Sequence, residues 1–247
     1  MNDNTEKMQK AFSILEDVYN EIPKTKGCKN ACKPNGCHSW CCAYMTPSMY
    51  ACEFLYLWRY FLEKSSKEEQ AEIVVKAVEN YLRNKVTKQC VFFDPSSYLC
   101  KIHNKRPLAC RLYAIIHPHT WKERAKIFKQ QFESVPLEDK KDVRKILNQC
   151  GLVKTIEGKN HVSRQEEEKW FNETKKAEKE FGIKESTIEK HDDPEGTYRS
   201  MHDHIMLNSF AVEFLNSLSE QRTNRLSEDD ILKFGKVLKE SLVKYGK

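Results

Sequence analysis

Glycine and proline are scarce in this chain, eight of each among 247 residues. An all-β sandwich or barrel needs many more turn residues, so that class is excluded. No apolar run approaches the roughly 20 residues that span a bilayer. The first residues, Met1-Asn-Asp-Asn-Thr-Glu6, lack the basic-then-apolar pattern of a secretory signal. The expectation is a cytoplasmic protein with no membrane contact. Also missing are internal repeats, a glycine-rich nucleotide loop, the Cys-x3-Cys-x2-Cys of radical enzymes that cleave S-adenosylmethionine, and any Cys-x2-Cys pair.

Cysteine is what the chain has in excess, ten residues in all. Cys28, Cys32, Cys37, Cys41 and Cys42 fall within fifteen residues, and Cys90, Cys100 and Cys110 follow at even spacing. With 39% hydrophobic residues the chain can bury a core without disulfides. In a reducing compartment, clustered cysteines more often hold metal, and disulfides are the bland alternative. Residues 23–110 carry a formal charge of +7, which alone would point to nucleic acid. The same segment holds all eight clustered cysteines, and metal ligands bind as thiolates. Eight thiolates would take it from +7 to −1, so the lysines read as partners of an anionic cluster. Nucleic acid is therefore not expected, and nothing selects a particular protein or small-molecule partner.

Periodicity predicts helices over 5–22, 47–63, 66–86, 119–134, 137–149, 163–181, 195–219 and 227–244. Thr46 and Pro47 read as N-cap and first residue of the second helix, which is apolar nearly all round and so belongs in a core. Cys52 there reads as a small buried hydrophobe, and Glu53 as either a buried partner or an exposed position. Cys90 to His103 reads as a β-hairpin turning at Asp94 to Ser97, and Pro107 to Tyr113 as the opening of a short helix. Gly151 to His161 is the most loop-like later stretch, with room for a short hairpin, and Cys150 beside it reads as structural. Gln165-Glu-Glu-Glu-Lys169 reads as a solvated helix face. The fold class is mainly α, with a small irregular cysteine-rich metal module and one β-hairpin. The expected division is residues 1–115 for the module and its flanking helices, and 116–247 for a helical extension packed on it.

Thiolates select zinc, copper(I) and iron–sulfur clusters over hard cations. Structural zinc usually takes closely spaced cysteine pairs and closes at four ligands. Here the first five cysteines are separated by three, four, three and no residues. Adjacent cysteines do not easily turn both sulfurs to one small ion, and eight candidate ligands exceed one tetrahedral site. An iron–sulfur cluster is expected first and zinc second.

These residues resemble the YkgJ, or CxxCxxCC, family of zinc- or iron-chelating proteins. Its pattern is a cysteine knot ending in Cys-Cys, a Glu about eleven residues on, then Cys-x-Phe, Cys-x-Ile-Tyr and Arg-Pro-x-x-Cys-Arg. The counterparts are Cys41-Cys42, Glu53, Cys90-Val-Phe92, Cys100-Lys-Ile102-His103 and Arg106-Pro107-Leu-Ala-Cys110-Arg111. The first half departs: the knot is stretched and one cysteine richer, which leaves open which of Cys28, Cys32 and Cys37 are ligands. His103 stands where Tyr is usual, close enough to Cys100 to be a ligand or a donor to one. The resemblance covers about residues 28–113 and implies a metal held by Cys28, Cys32, Cys37, Cys41, Cys42, Cys90, Cys100 and Cys110. Arg106 and Arg111 would hold the charge of a bound cofactor or an anionic substrate. The family includes flagellin lysine methylases, so a metal-dependent protein-modifying enzyme is the alternative, as is a zinc-stabilised interaction module. No catalytic motif is visible for the first. His117, His119, His202 and His204 read as exposed or core histidines, with a mononuclear iron site at His191, Asp192 and His202 as the remote alternative.

Overall fold

The computed structural model describes residues 3–26, 40–43, 45–83, 89–132, 153–183, 199–223 and 226–245. Cys28, Cys32, Cys37, Cys150, His191, Asp192 and the predicted helix 137–149 lie outside the described residues. Among the described residues are ten α-helices and three two-stranded antiparallel sheets. The helices are α1 (Asp3–Glu21), α2 (Trp40–Ala43), α3 (Ala51–Lys64), α4 (Lys67–Leu82), α5 (Leu108–Leu112) and α6 (Pro118–Phe132). They continue with α7 (Arg164–Glu180), α8 (Met201–Ser209), α9 (Val212–Thr223) and α10 (Glu228–Tyr245). The strands are β1 (Thr25–Lys26), β2 (Ser48–Met49), β3 (Phe93–Asp94), β4 (Leu99–Cys100), β5 (Lys154–Thr155) and β6 (Arg199–Ser200). A mainly helical fold with one hairpin is what the sequence called for.

Helix α3 joins two hydrophobic cores, which is why it is apolar nearly all round. Phe54, Leu57 and Phe61 enter one core with Ile73 and Val78 of α4, Phe92 beside the hairpin, and Ile205 of α8. Cys52 and Tyr56 enter the other with Leu15 of α1, Trp170 of α7, and Leu108 and Leu112 of α5. Each such side chain contributes about 1.5–3 kcal/mol on burial. Helix α1 packs chiefly on α7, and α10 and α8 pack on α4.

Helix α3 starts four residues later than Thr46 and Pro47 imply. Residues 48–49 pair with 199–200 instead, and Tyr50 takes the N-cap position without a side-chain cap. The free N–H groups of Ala51 and Cys52 donate to the Glu178 carboxylate of α7 at 3.1 and 2.8 Å. A buried carboxylate brought in by packing displaces the local cap, because it satisfies two orphan donors. The same device recurs. Glu53 accepts from the Leu108 N–H at the start of α5, and Glu167 accepts from the His117 N–H and the Thr120 hydroxyl at the start of α6. Glu53, Glu167 and Glu178 are all buried, so the solvated face expected at 165–169 holds for its neighbours and fails at Glu167. Where capping is local the sequence reads correctly, and Ser66 and Ser163 form capping boxes with Glu69 and Glu166.

The predicted helix 195–219 divides into β6, α8 and α9. The Ser200 side chain caps α8, and Phe210 leaves the helix in an extended conformation. The strand at 154–155 pairs with β1, and the Thr155 N–H also donates to the Lys159 carbonyl at 2.9 Å across a local turn. In the hairpin Phe93 faces Cys100, and the Asp94 carboxylate accepts from Ser96 and Ser97 across the turn.

His202 and His204 are core histidines. His204 Nε2 donates to the Met49 carbonyl at 2.9 Å and its ring stacks on Phe54. Burial, the largest cause, lowers its pKa below the ordinary value. The unfolded chain then binds a proton below about pH 6.5 that the fold resists. Stability present above that pH is lost as pH falls toward the depressed folded value. Thermal melts from pH 7.5 to 5 should show a steeper decline for the native protein than for His204→Gln. Parallel declines would assign the effect elsewhere.

Candidate metal centre

Short-range geometry brings the cysteines together from four places. Helix α2 is a single turn carrying Cys41 and Cys42, and their sulfurs stand 3.9 Å apart. Four sulfurs around one zinc, with bonds near 2.3 Å, are about 3.8 Å from one another. The separation of the adjacent pair is close to that edge length. The Cys42 carbonyl accepts the Cys90 N–H at 2.8 Å, and the Cys90 carbonyl accepts the Phe93 N–H at 3.0 Å. Across the hairpin Phe93 faces Cys100. Cys110 sits in α5, whose first N–H is held by Glu53.

The electrostatics agree with this gathering. The Cys42 thiol is pushed well above its ordinary range by the contact with Cys41, by burial, and by repulsion from Cys41, Cys90 and Cys100. Cys90 is raised by burial, then by Cys100 and Cys41. Burial raises Cys110 as well, with Cys90, Cys100 and Cys41 adding to it and the Arg106 guanidinium opposing. Cys42, Cys90 and Cys110 thus each lie within electrostatic reach of others among Cys41, Cys90 and Cys100. Without metal the raised members stay protonated, so loading releases protons and binding strengthens with pH. The donor chemistry suits zinc or iron. Among the described residues no three Cys, His, Asp or Glu side chains already converge on one ion position.

Arg106 and Arg111 lie beside this set and are engaged with backbone. Arg106 Nε donates to the His103 carbonyl at 3.1 Å, while Arg111 donates to the carbonyls of Arg106 and Asn104 at 2.7 and 2.9 Å. They brace the segment that carries Cys100 and Cys110, and Arg106 also offsets thiolate charge. The Arg111 guanidinium lies 4.3 Å from the centre of the Tyr19 ring, and the Tyr19 hydroxyl donates to Glu53 at 2.6 Å. Burial pushes the Glu53 carboxyl up, against the donors from Leu108, Tyr19 and Tyr50. Helices α1, α3 and α5 are thereby tied together next to Cys110.

Two supports were not legible in the sequence. His202, 1% exposed, lies within hydrogen-bonding distance of Thr46, Asn80 and the Gln89 carbonyl, and so backs the segments that deliver Cys42 and Cys90. Glu178 holds the helix that follows the vicinal pair. Both act across more than a hundred residues of chain, a distance no local pattern encodes. Cys52 is buried among apolar side chains, as expected. An apolar groove between α1 and α3, lined by Phe12, Leu55, Trp58 and Leu62, includes no cysteine.

Fold and site together define a helical protein built around a cysteine-rich, metal-chelating domain. Residues 31–151 match the sequence model of the CxxCxxCC family, described as "Putative zinc- or iron-chelating domain", and over that span the chain is similar to it. No curated protein and no solved structure matches the chain. Among the described residues, no helix is long and apolar enough to cross a membrane.

Proposed function

We propose that this protein is a metal-binding protein whose cysteine pocket carries an iron–sulfur cluster. The observation that supports it is the number of thiols brought together: the Cys41 and Cys42 sulfurs stand 3.9 Å apart, the Cys42 carbonyl accepts the Cys90 N–H, and Cys90, Cys100 and Cys110 lie within electrostatic reach of one another. That is one more than a closed tetrahedral zinc site uses, before Cys28, Cys32 and Cys37 are added. A polynuclear core, with several metal and sulfide positions, accommodates the excess. When bound, the cluster would supply an electron-transfer or structural centre, and the protein's part is to gather the thiols and exclude water from them. Arg106 offsets charge beside Cys110, and Glu53 orients the helix that carries it.

Zinc is the second reading, favoured by the 3.9 Å sulfur separation, which matches a single tetrahedral edge. Purification without oxygen, followed by metal and acid-labile sulfide analysis, separates the two. Iron with matching sulfide is the expected result. Zinc at one or two per chain without sulfide would replace the first reading with the second, and no bound metal would overturn both.

A further inference from the structure

We infer that His103 Nε2 is a metal ligand, the nitrogen donor in an otherwise sulfur set; this rests on the metal reading above. Among the described residues, His103 Nε2 is the buried side-chain nitrogen or oxygen atom without a hydrogen-bond partner. Leaving such an atom unsatisfied costs about 1–3 kcal/mol, so a fold that encloses it calls for a partner of another kind.

Its position narrows the choice. His103 opens the 3-10 turn His103–Lys105, three residues after Cys100 and seven before Cys110. The backbone there is pinned on both sides. Ile102 is buried, its carbonyl accepts the Lys105 N–H at 2.9 Å, and the His103 carbonyl accepts from Arg106. The imidazole is thus carried on the short braced segment that supplies two of the gathered thiols.

The chemistry gives it a use. Each further thiolate adds negative charge to a set of closely gathered sulfurs. A neutral imidazole adds a donor without adding charge, and it accompanies cysteine at zinc and at iron–sulfur centres. Metal bonding would satisfy the enclosed nitrogen.

The test uses full-length protein carrying 15N-labelled histidine, with zinc as the probe. Zinc is added to the metal-free protein while the imidazole nitrogens are followed by NMR, the His103 signals being assigned by their loss in His103→Phe. The expected result is that His103 Nε2 moves to a metal-bound position, with the transition complete at the same zinc equivalents that protect the thiols from alkylation. His103→Phe should weaken zinc binding by about 10-fold or more, and His103→Cys should restore it. Full zinc occupancy with the His103 nitrogens unmoved, or with Nε2 still protonated, would overturn the ligand assignment and leave the metal reading intact. Absence of zinc binding and thiol protection altogether would overturn the metal reading itself, and this inference with it.

Discussion

Replacing Cys42 by serine is expected to reduce metal content to background and to lower the melting temperature by about 10 °C or more. Cys42 is the junction of the pocket. Its sulfur is 3.9 Å from that of Cys41, and its carbonyl holds the Cys90 N–H. Metal binding free energy becomes folding free energy when the ligands are not otherwise held in place, and structural zinc contributes on the order of 10–16 kcal/mol in small peptides. Losing a third to a half of that exceeds what an ordinary core substitution costs. In a chain of this size, about 5 kcal/mol corresponds to a shift of about 10–20 °C. Cys100→Ser should have the same effect on metal content, because the hairpin sulfur is one of the gathered thiols within electrostatic reach of Cys42 although it lies 58 residues further along the chain. Cys52→Ala is the control: it removes a buried thiol outside that set and should cost stability while leaving metal content unchanged. Metal content and melting temperature unchanged in both serine variants would refute the shared pocket.

The second large effect is expected at Glu178. Its carboxylate accepts the N–H groups of Ala51 and Cys52, and the residue is fully buried. Glu178→Ala strands two donors at the start of the central helix, each at about 1–3 kcal/mol, and leaves a cavity besides. A loss of about 3–5 kcal/mol and a melting temperature lower by about 10 °C follow. Glu178→Gln keeps one acceptor oxygen and should recover roughly half of the loss. Chemical denaturation of the three proteins at one pH measures this directly. An Ala variant as stable as the native chain would mean that water caps α3 equally well.

The two substitutions probe parts of the molecule that differ in how far they can be read from local pattern. Cys42 stands out by composition and spacing. Glu178 does not, since it lies in a strongly charged helix where Lys175, Lys176, Lys179 and Glu180 give no sign that one carboxylate is wholly enclosed. Helix starts followed the same division. Ser66 and Ser163 cap within three residues of themselves, and those boundaries agree with periodicity. The starts of α3, α5 and α6 depend on carboxylates at long range. At α3, Thr46 pointed to the wrong residue and is instead a neighbour of His202.

By itself the sequence determined that this is a mainly helical chain with a cysteine-rich metal-binding module, because apolar periodicity and thiol spacing are local properties of the polymer. It also marked the central helix as largely buried, since a helix apolar nearly all round has little solvent face, here Arg59 and Leu62 to Lys64. Tertiary structure decided that the Cys41 and Cys42 sulfurs stand 3.9 Å apart and where Glu53, Glu167, Glu178 and His202 sit. The reason is physical. A buried carboxylate or imidazole is tolerable only when its partners arrive with it, and those partners come from helices that are distant in the chain and adjacent only after the two cores have formed.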